Sequence, residues 1–125
     1  MKMHNAIAYE GLYKRLKDRP LAIKLAYKLN KLHNKISGEI IFYEETLQKY
    51  LTKYAQYNED GSIAQNSDKT GILIQSEYLK ECYEKINELL SIEIGITEIV
   101  FTLDELDELK ITPAELSCIQ DLITE

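Results

Sequence analysis

The sequence predicts an α+β fold, mostly α: a long antiparallel helical hairpin of coiled-coil type, with a small β element and a short C-terminal helix. Three observations lead there. Leu25, Leu29, Leu32, Ile36, Ile40, Tyr43, Leu47, Tyr50, Tyr54 and Tyr57 recur at intervals of three and four, the a/d spacing of a coiled-coil seam. Leu79, Cys82, Ile86 and Leu89 repeat that spacing beyond a turn-forming stretch. Between Glu93 and Phe101 the pattern changes to alternation with β-branched residues, which reads as one or two short strands.

The elements follow in chain order within one predicted domain. Residues 1–18 hold a short strand at Met1–Met3 and a first helix from about Ala6 to Lys17, with Asn5 as its N-cap. Gly11 weakens that helix, and Lys17-Asp18-Arg19-Pro20 ends it, because the residue before a proline avoids the helical region. Residues 19–57 form the long helix, with Pro20 in its first turn. At 1.5 Å per residue it would extend roughly 55–60 Å. Gly38 inside it predicts a kink or a close helix crossing, at about 1 kcal/mol against alanine. Residues 58–75 are a loop or hairpin tip opened by Asn58-Glu59-Asp60-Gly61-Ser62, and residues 76–91 are the return helix. The return helix is the shorter, so part of the long helix is left needing another partner. Residues 92–125 hold the short strands, then two capping boxes. Thr102 stands three residues before Glu105, and Thr112 three before Glu115 with Pro113 at the first helical position. The last helix is predicted over Pro113 to Ile123.

Composition excludes several classes. No run approaches the 18 or so apolar residues of a membrane span. The opening Met1-Lys2-Met3-His4-Asn5 lacks the apolar core of a signal peptide, so host cytoplasm, or a virion assembled there, is the expected location. Cys82 and Cys118 lie far apart on apolar helical faces and read as reduced, buried thiols. With His4 and His33 isolated, no zinc site is expected, and neither histidine follows a glutamate at di-iron spacing. Asn66, Asp68, Thr70 and Gly71, with Glu77 beyond, approach a calcium-loop pattern, but Lys69 adds positive charge and Ile74 stands at a ligand position. No metal and no cofactor are expected. There is no phosphate-cradling glycine loop, nucleophile elbow or paired Cys/His arrangement, so the chain reads as a non-enzyme with no catalytic residue.

Charge is uneven along the chain. The net charge is −6, yet residues 1–35 carry nine Lys/Arg against two acids, whereas residues 36–125 carry six against nineteen. Such a dipolar chain can pair with itself or steer toward a charged partner. Three sets of residues are candidate contact sites. Tyr43, Tyr50, Tyr54 and Tyr57 stripe the far half of the long helix, and tyrosine combines a large ring with a polar tip suited to interfaces. Lys24, Lys28, Lys31 and Lys35 form a basic stripe that would meet phosphate or an acidic partner, or else flank the seam and pair with the chain's own acids. Asp104, Glu105, Asp107 and Glu108 form an acidic cluster, readable as a phosphate mimic or as a solvated helix face.

Pro20-Leu21-Ala22-Ile23-Lys24-Leu25-Ala26-Tyr27-Lys28-Leu29-Asn30-Lys31 resembles the opening of an uncharacterised family of small tailed-phage and prophage proteins from Gram-positive bacteria. The resemblance continues through Lys53-Tyr54, Asp60-Gly61, Glu84-Lys85-Ile86-Asn87-Glu88-Leu89-Leu90 and Ile111-Thr112-Pro113-Ala114-Glu115-Leu116. It implies a bacteriophage origin and no particular activity. The expected function is protein–protein interaction by a homodimer or higher oligomer that binds a host or phage protein, as in anti-defence or host takeover. Alternatives are a virion or tail-assembly accessory or chaperone, and a nucleic-acid or small-molecule binder acting through an oligomer interface. Nucleic acid is the less favoured partner, since arginine occurs only at Arg15 and Arg19.

Overall fold

The computed structural model describes residues 1–65, 71–96 and 99–124. Among these, five α-helices dominate: α1 (Met3–Leu16), α2 (Ile23–Tyr54), α3 (Leu79–Leu90), α4 (Leu103–Leu109) and α5 (Pro113–Cys118). Strands β1 (Phe101–Thr102) and β2 (Ile123–Thr124) pair in parallel, Phe101 opposite Ile123 and Thr102 opposite Thr124. The chain clusters into two compact units, Met1–Ile41 with Ser91–Glu125, and Phe42–Leu90. Their boundary falls inside the unbroken 32-residue α2.

The first unit holds the larger core. Leu25, Leu29, Leu32 and Ile36, the first four seam positions, are all buried. Tyr9 of α1 is buried beside them and its hydroxyl donates to the Leu29 carbonyl at 2.7 Å. Burial pushes the Tyr9 phenol far above its ordinary pKa, which favours the protonated, donating form. Met3, Ala6, Leu12 and Leu16 complete the buried face of α1, and Phe101, Leu106, Leu109, Ile119 and Leu122 come from the C-terminal segment. Arg15 clamps α1 to α5 through two bonds to Glu115, Nε to Oε2 at 2.8 Å and a terminal nitrogen to Oε1 at 2.9 Å.

Several predicted boundaries move. Helix α1 begins at Met3, with Lys2 as its cap, so Asn5 lies inside it. The Met3 amide donates to the Ile92 carbonyl at 2.8 Å, and Lys2 forms an antiparallel bridge with Glu93. A partner distant in sequence thus takes over part of the cap's role. Pro20 does not enter the second helix, which starts three residues later. The predicted strand shrinks to Phe101–Thr102 and the Glu93 bridge; Thr97 and Glu98 lie outside the described residues. Both capping boxes form as expected, at Thr102 with Glu105 and at Thr112 with Glu115. The last helix is shorter than predicted. It ends at Cys118, and the chain passes through a 3-10 turn at Gln120–Leu122 into β2, because the ladder to β1 requires extended backbone there. Gly38 sits in continuous helix with nothing within 4 Å of the place a Cβ would occupy, which removes the predicted close crossing.

The second unit is organised by backbone more than by side chains. Gln56 N donates to Leu73 O at 2.8 Å, Leu73 N to Ala64 O at 3.0 Å, and Ala64 N to Gln56 O at 2.8 Å. Three extended segments therefore close a ring in which each pairs with the other two, through the bridges Ala55–Ile74, Tyr57–Ile63 and Gln65–Ile72. This pairing ends α2 at Tyr54, three residues short of the predicted Tyr57. The predicted turn at 58–62 is present. Gly61 adopts φ +86°, and Asp60 accepts from the Ser62 amide and hydroxyl, which holds its carboxyl below the usual range. A 3-10 turn at Ser76–Tyr78 leads into α3, and the Tyr54 and Tyr78 rings meet at 5.6 Å.

Two predictions follow from these cores. Gly38→Ala should stabilise the chain by about 1 kcal/mol, read as a raised urea midpoint, because the helix interior gains propensity and no clash. Each unit also carries one buried thiol, Cys82 in the second and Cys118 in the first. Among the described residues, nineteen of the 23 buried apolar ones belong to the first unit, so the second should open at lower free energy. A thiol reagent in increasing urea, followed by mass spectrometry, should label Cys82 before Cys118.

Candidate functional site

The predicted tyrosine set divides when placed in the structure. Tyr43 and Tyr50 on α2 are half-buried, and Tyr57 is exposed with its hydroxyl donating to the Thr52 carbonyl at 2.6 Å. Tyr54 is only 3 % exposed and packs on Tyr78. Tyr54 is therefore a core residue of its unit and leaves the contact set. The reason is local: the Gln75 amide donates to the Tyr54 carbonyl at 2.9 Å, which brings the segment that carries Tyr78 against the end of α2.

Other apolar residues of the second unit take the exposed role. Phe42, Tyr57, Leu73, Tyr78, Leu79 and Tyr83 all face solvent, Tyr83 at 60 %. On α3 the buried residues are Cys82 and Leu89, seven apart on one line. At 100° per residue, Ile86, Leu79 and Tyr83 lie about 40°, 60° and 100° round from Cys82. The apolar arc of α3 is thus wider than the strip its own unit buries. Sequence reading missed Leu79 and Tyr83 as surface residues. The available signal was Tyr83, an aromatic residue off the Leu79-Cys82-Ile86-Leu89 line.

The basic stripe lies in the first unit, where its members have different roles. Lys28 is turned inward upon the C-terminal segment. Its ammonium donates to the Val100 carbonyl at 2.8 Å and to Glu105 Oε1 at 2.7 Å, 6.0 Å from the centre of the Phe101 ring. Lys31 lies 5.9 Å from the Tyr27 ring centre. Lys24 and Lys35 are exposed. Ile23, Lys24, Tyr27, Lys28, Lys31 and Ile99 line an open groove. Ile23 is 85 % and Tyr27 65 % exposed, and both project from the side of α2 opposite the buried seam. They too were missed, although their spacing of four residues off the seam was visible in the sequence.

The acidic cluster is likewise split. Glu105 closes the first capping box and pairs with Lys28. Partial desolvation raises its pKa, but hydrogen bonds from Lys28 and Thr102 outweigh that and hold it below the ordinary value. Glu108 Oε1 accepts weakly from the Ala22 amide at 3.4 Å, and Arg19 donates to the Leu109 carbonyl at 3.0 Å. Asp104 and Asp107 are exposed. The stripe and the cluster thus meet through Lys28 and Glu105, so part of each is spent within the fold.

A polar group also fills the contact between α1 and α2. The Tyr13 and His33 rings stack at 4.1 Å, His33 Nδ1 lies 2.7 Å from Glu10 Oε1, and the Tyr13 hydroxyl donates to Asn30 at 2.8 Å. The set serves as a helix–helix contact. Burial pushes the Cys118 thiol up to about 11, which keeps it unreactive at neutral pH. Among the described residues no group of three or more His, Cys, Asp or Glu is placed to hold a metal ion. Of the calcium-like segment 66–77, residues 66–70, with Asn66, Asp68 and Thr70, lie outside the described residues. No described helix is long and apolar enough to cross a membrane. Searches of protein-family models, curated proteins and solved structures found no match to this chain.

The carboxylates of Glu105 and Glu115 set an acid limit on the first unit. Both are held below the ordinary 4.5, Glu115 first by its bonds from Arg15 and then by the Thr112 amide. Their contribution is complete above that unfolded value and is lost as pH falls through the lower folded values. Urea midpoints should therefore decline between about pH 5 and 3. Glu115→Gln should destabilise the chain at neutral pH by about 1 kcal/mol through the weakened cap and clamp, read as a lowered urea midpoint, and flatten the acid decline.

Proposed function

We propose that this chain is a non-enzymatic, phage-encoded protein-interaction protein whose second unit carries the contact surface. In this reading α3 folds back antiparallel along the later half of α2 as a helical hairpin, with the three-segment ring reversing the chain. The observation that carries the proposal is the apolar arc of α3, of which Cys82 and Leu89 are buried while Leu79 and Tyr83 face solvent. Six large apolar side chains are exposed in a unit that buries only four apolar residues among those described. A surface with those proportions gains stability when another polypeptide covers it.

The target proposed is a host protein, a defence or replication factor, and the resemblance to small tailed-phage proteins supports that choice. An amphipathic partner helix fits the chemistry, because aromatic and leucine anchors at positions four apart seat such a helix in a groove.

Capture from infected-host lysate tests the reading. Wild-type bait should retain a specific host protein. Leu79→Asp with Tyr83→Asp should reduce its yield at least tenfold, while far-UV circular dichroism and protection of Cys82 stay unchanged. Equal capture by both baits, or no specific protein with either, would overturn it.

A further inference from the structure

The geometry points to a second, separate surface on the first unit: a twofold interface between two copies of this chain, formed by the outward side of α2 and the acidic start of α4. Ile23 and Tyr27 stand opposite the buried seam, where a surface helix is normally polar, and at 85 % and 65 % exposure they have almost no cover. Leu103, the first residue of α4, is 58 % exposed, and Val100 before it is 39 % exposed. These belong to one neighbourhood, because Lys28 reaches from α2 to the Val100 carbonyl and to Glu105. The Ala22 amide and Glu108 continue the contact toward the other end of α4.

The charges around these apolar residues have opposite signs on the two elements. On α2, Lys24 and Lys31 flank Ile23 and Tyr27 and line the groove with them. On α4, Asp104 and Asp107 are exposed beside Leu103. Lys28 and Glu105 neutralise each other between the two flanks, at 2.7 Å. An apolar patch with a basic flank on one side and an acidic flank on the other is complementary to itself. A twofold rotation lays the basic flank of one copy on the acidic flank of the other, twice, with the apolar residues meeting in between. That complementarity selects a second copy over an unrelated acidic partner, which would leave Asp104 and Asp107 facing like charge. This surface is distinct from the α3 face proposed above and does not rest on it.

Light scattering coupled to size exclusion, over a hundredfold range of concentration, tests the interface. Wild type should pass from the mass of one chain to twice that mass, and high salt should shift the transition to higher concentration. Ile23→Asp with Tyr27→Asp should remain a single chain throughout, and the milder Ile23→Ser with Tyr27→Ser should weaken pairing at least tenfold. Leu79→Asp with Tyr83→Asp should pair as wild type does. The decisive variants reverse the flanks separately. Lys24→Glu with Lys31→Glu, and Asp104→Lys with Asp107→Lys, should each stay single because like charges then meet. An equimolar mixture of the two should recover the doubled mass, since every contact is again between opposite charges. A wild type that is single at all concentrations overturns the proposal. So does pairing that survives the aspartate variants, pairing lost through the α3 variants, or a mixture no heavier than its components.

Discussion

A buried phenol needs an acceptor, and Tyr9 finds one in the main-chain carbonyl of Leu29. That bond fixes the rotation of α2 about its own axis within the first unit. With Leu29 turned toward Tyr9, the positions in line with it, Leu25, Leu32 and Ile36, are buried as well. The Glu10–His33 contact and the Tyr13–Asn30 bond lie together on one side of it and hold the same register. The rest of that surface follows from this rotation. Lys28 comes round to β1 and α4, and Ile23 and Tyr27 are left pointing the opposite way.

The C-terminal segment of the first unit shows how few acids can organise several short elements. Helices of six or seven residues are too short to persist alone. Each is started by a threonine cap whose glutamate does a second task. Glu105 holds the first turn of α4 and Lys28 together, and Glu115 holds the first turn of α5 and Arg15. The same carboxylate oxygens that satisfy open amides at a helix start also bind a cation from α1 or α2. Local structure and tertiary placement are thereby tied to the same two side chains.

The second unit solves a different problem. Few of its apolar residues are buried, and the cyclic pairing of Gln56, Ala64 and Leu73 gives order mainly through main-chain bonds. Gln56 and Gln75 extend that pairing with their side-chain amides, which donate to the Ile74 and Ala55 carbonyls at 3.1 Å. Hydrogen bonds exposed to water contribute little net stability, whereas apolar burial contributes most of it. A unit built in this way leaves large apolar side chains exposed.

The order of elements was legible in the sequence because it depends on neighbours a few residues apart. The three-four spacing marked α2 and α3, the Thr-x-x-Glu pairs marked the starts of α4 and α5, and Asn58–Ser62 marked the turn. Where partners lie far apart in the chain, local signals failed. Met3 starts α1 by bonding Ile92, Ile123 is drawn into a strand by Phe101, and the helix ends at Tyr54 because residues near 64 and 73 claim its continuation. The lysine stripe and the acidic cluster were each visible as charge, but only the fold decides that Lys28 and Glu105 cancel while Lys24 and Asp104 stay outside. Periodicity reports that a helix has an apolar side. It cannot say how much of that side its neighbours will cover, because coverage is set by the distances between whole elements. Tyr54 went in and Tyr83 stayed out for that reason.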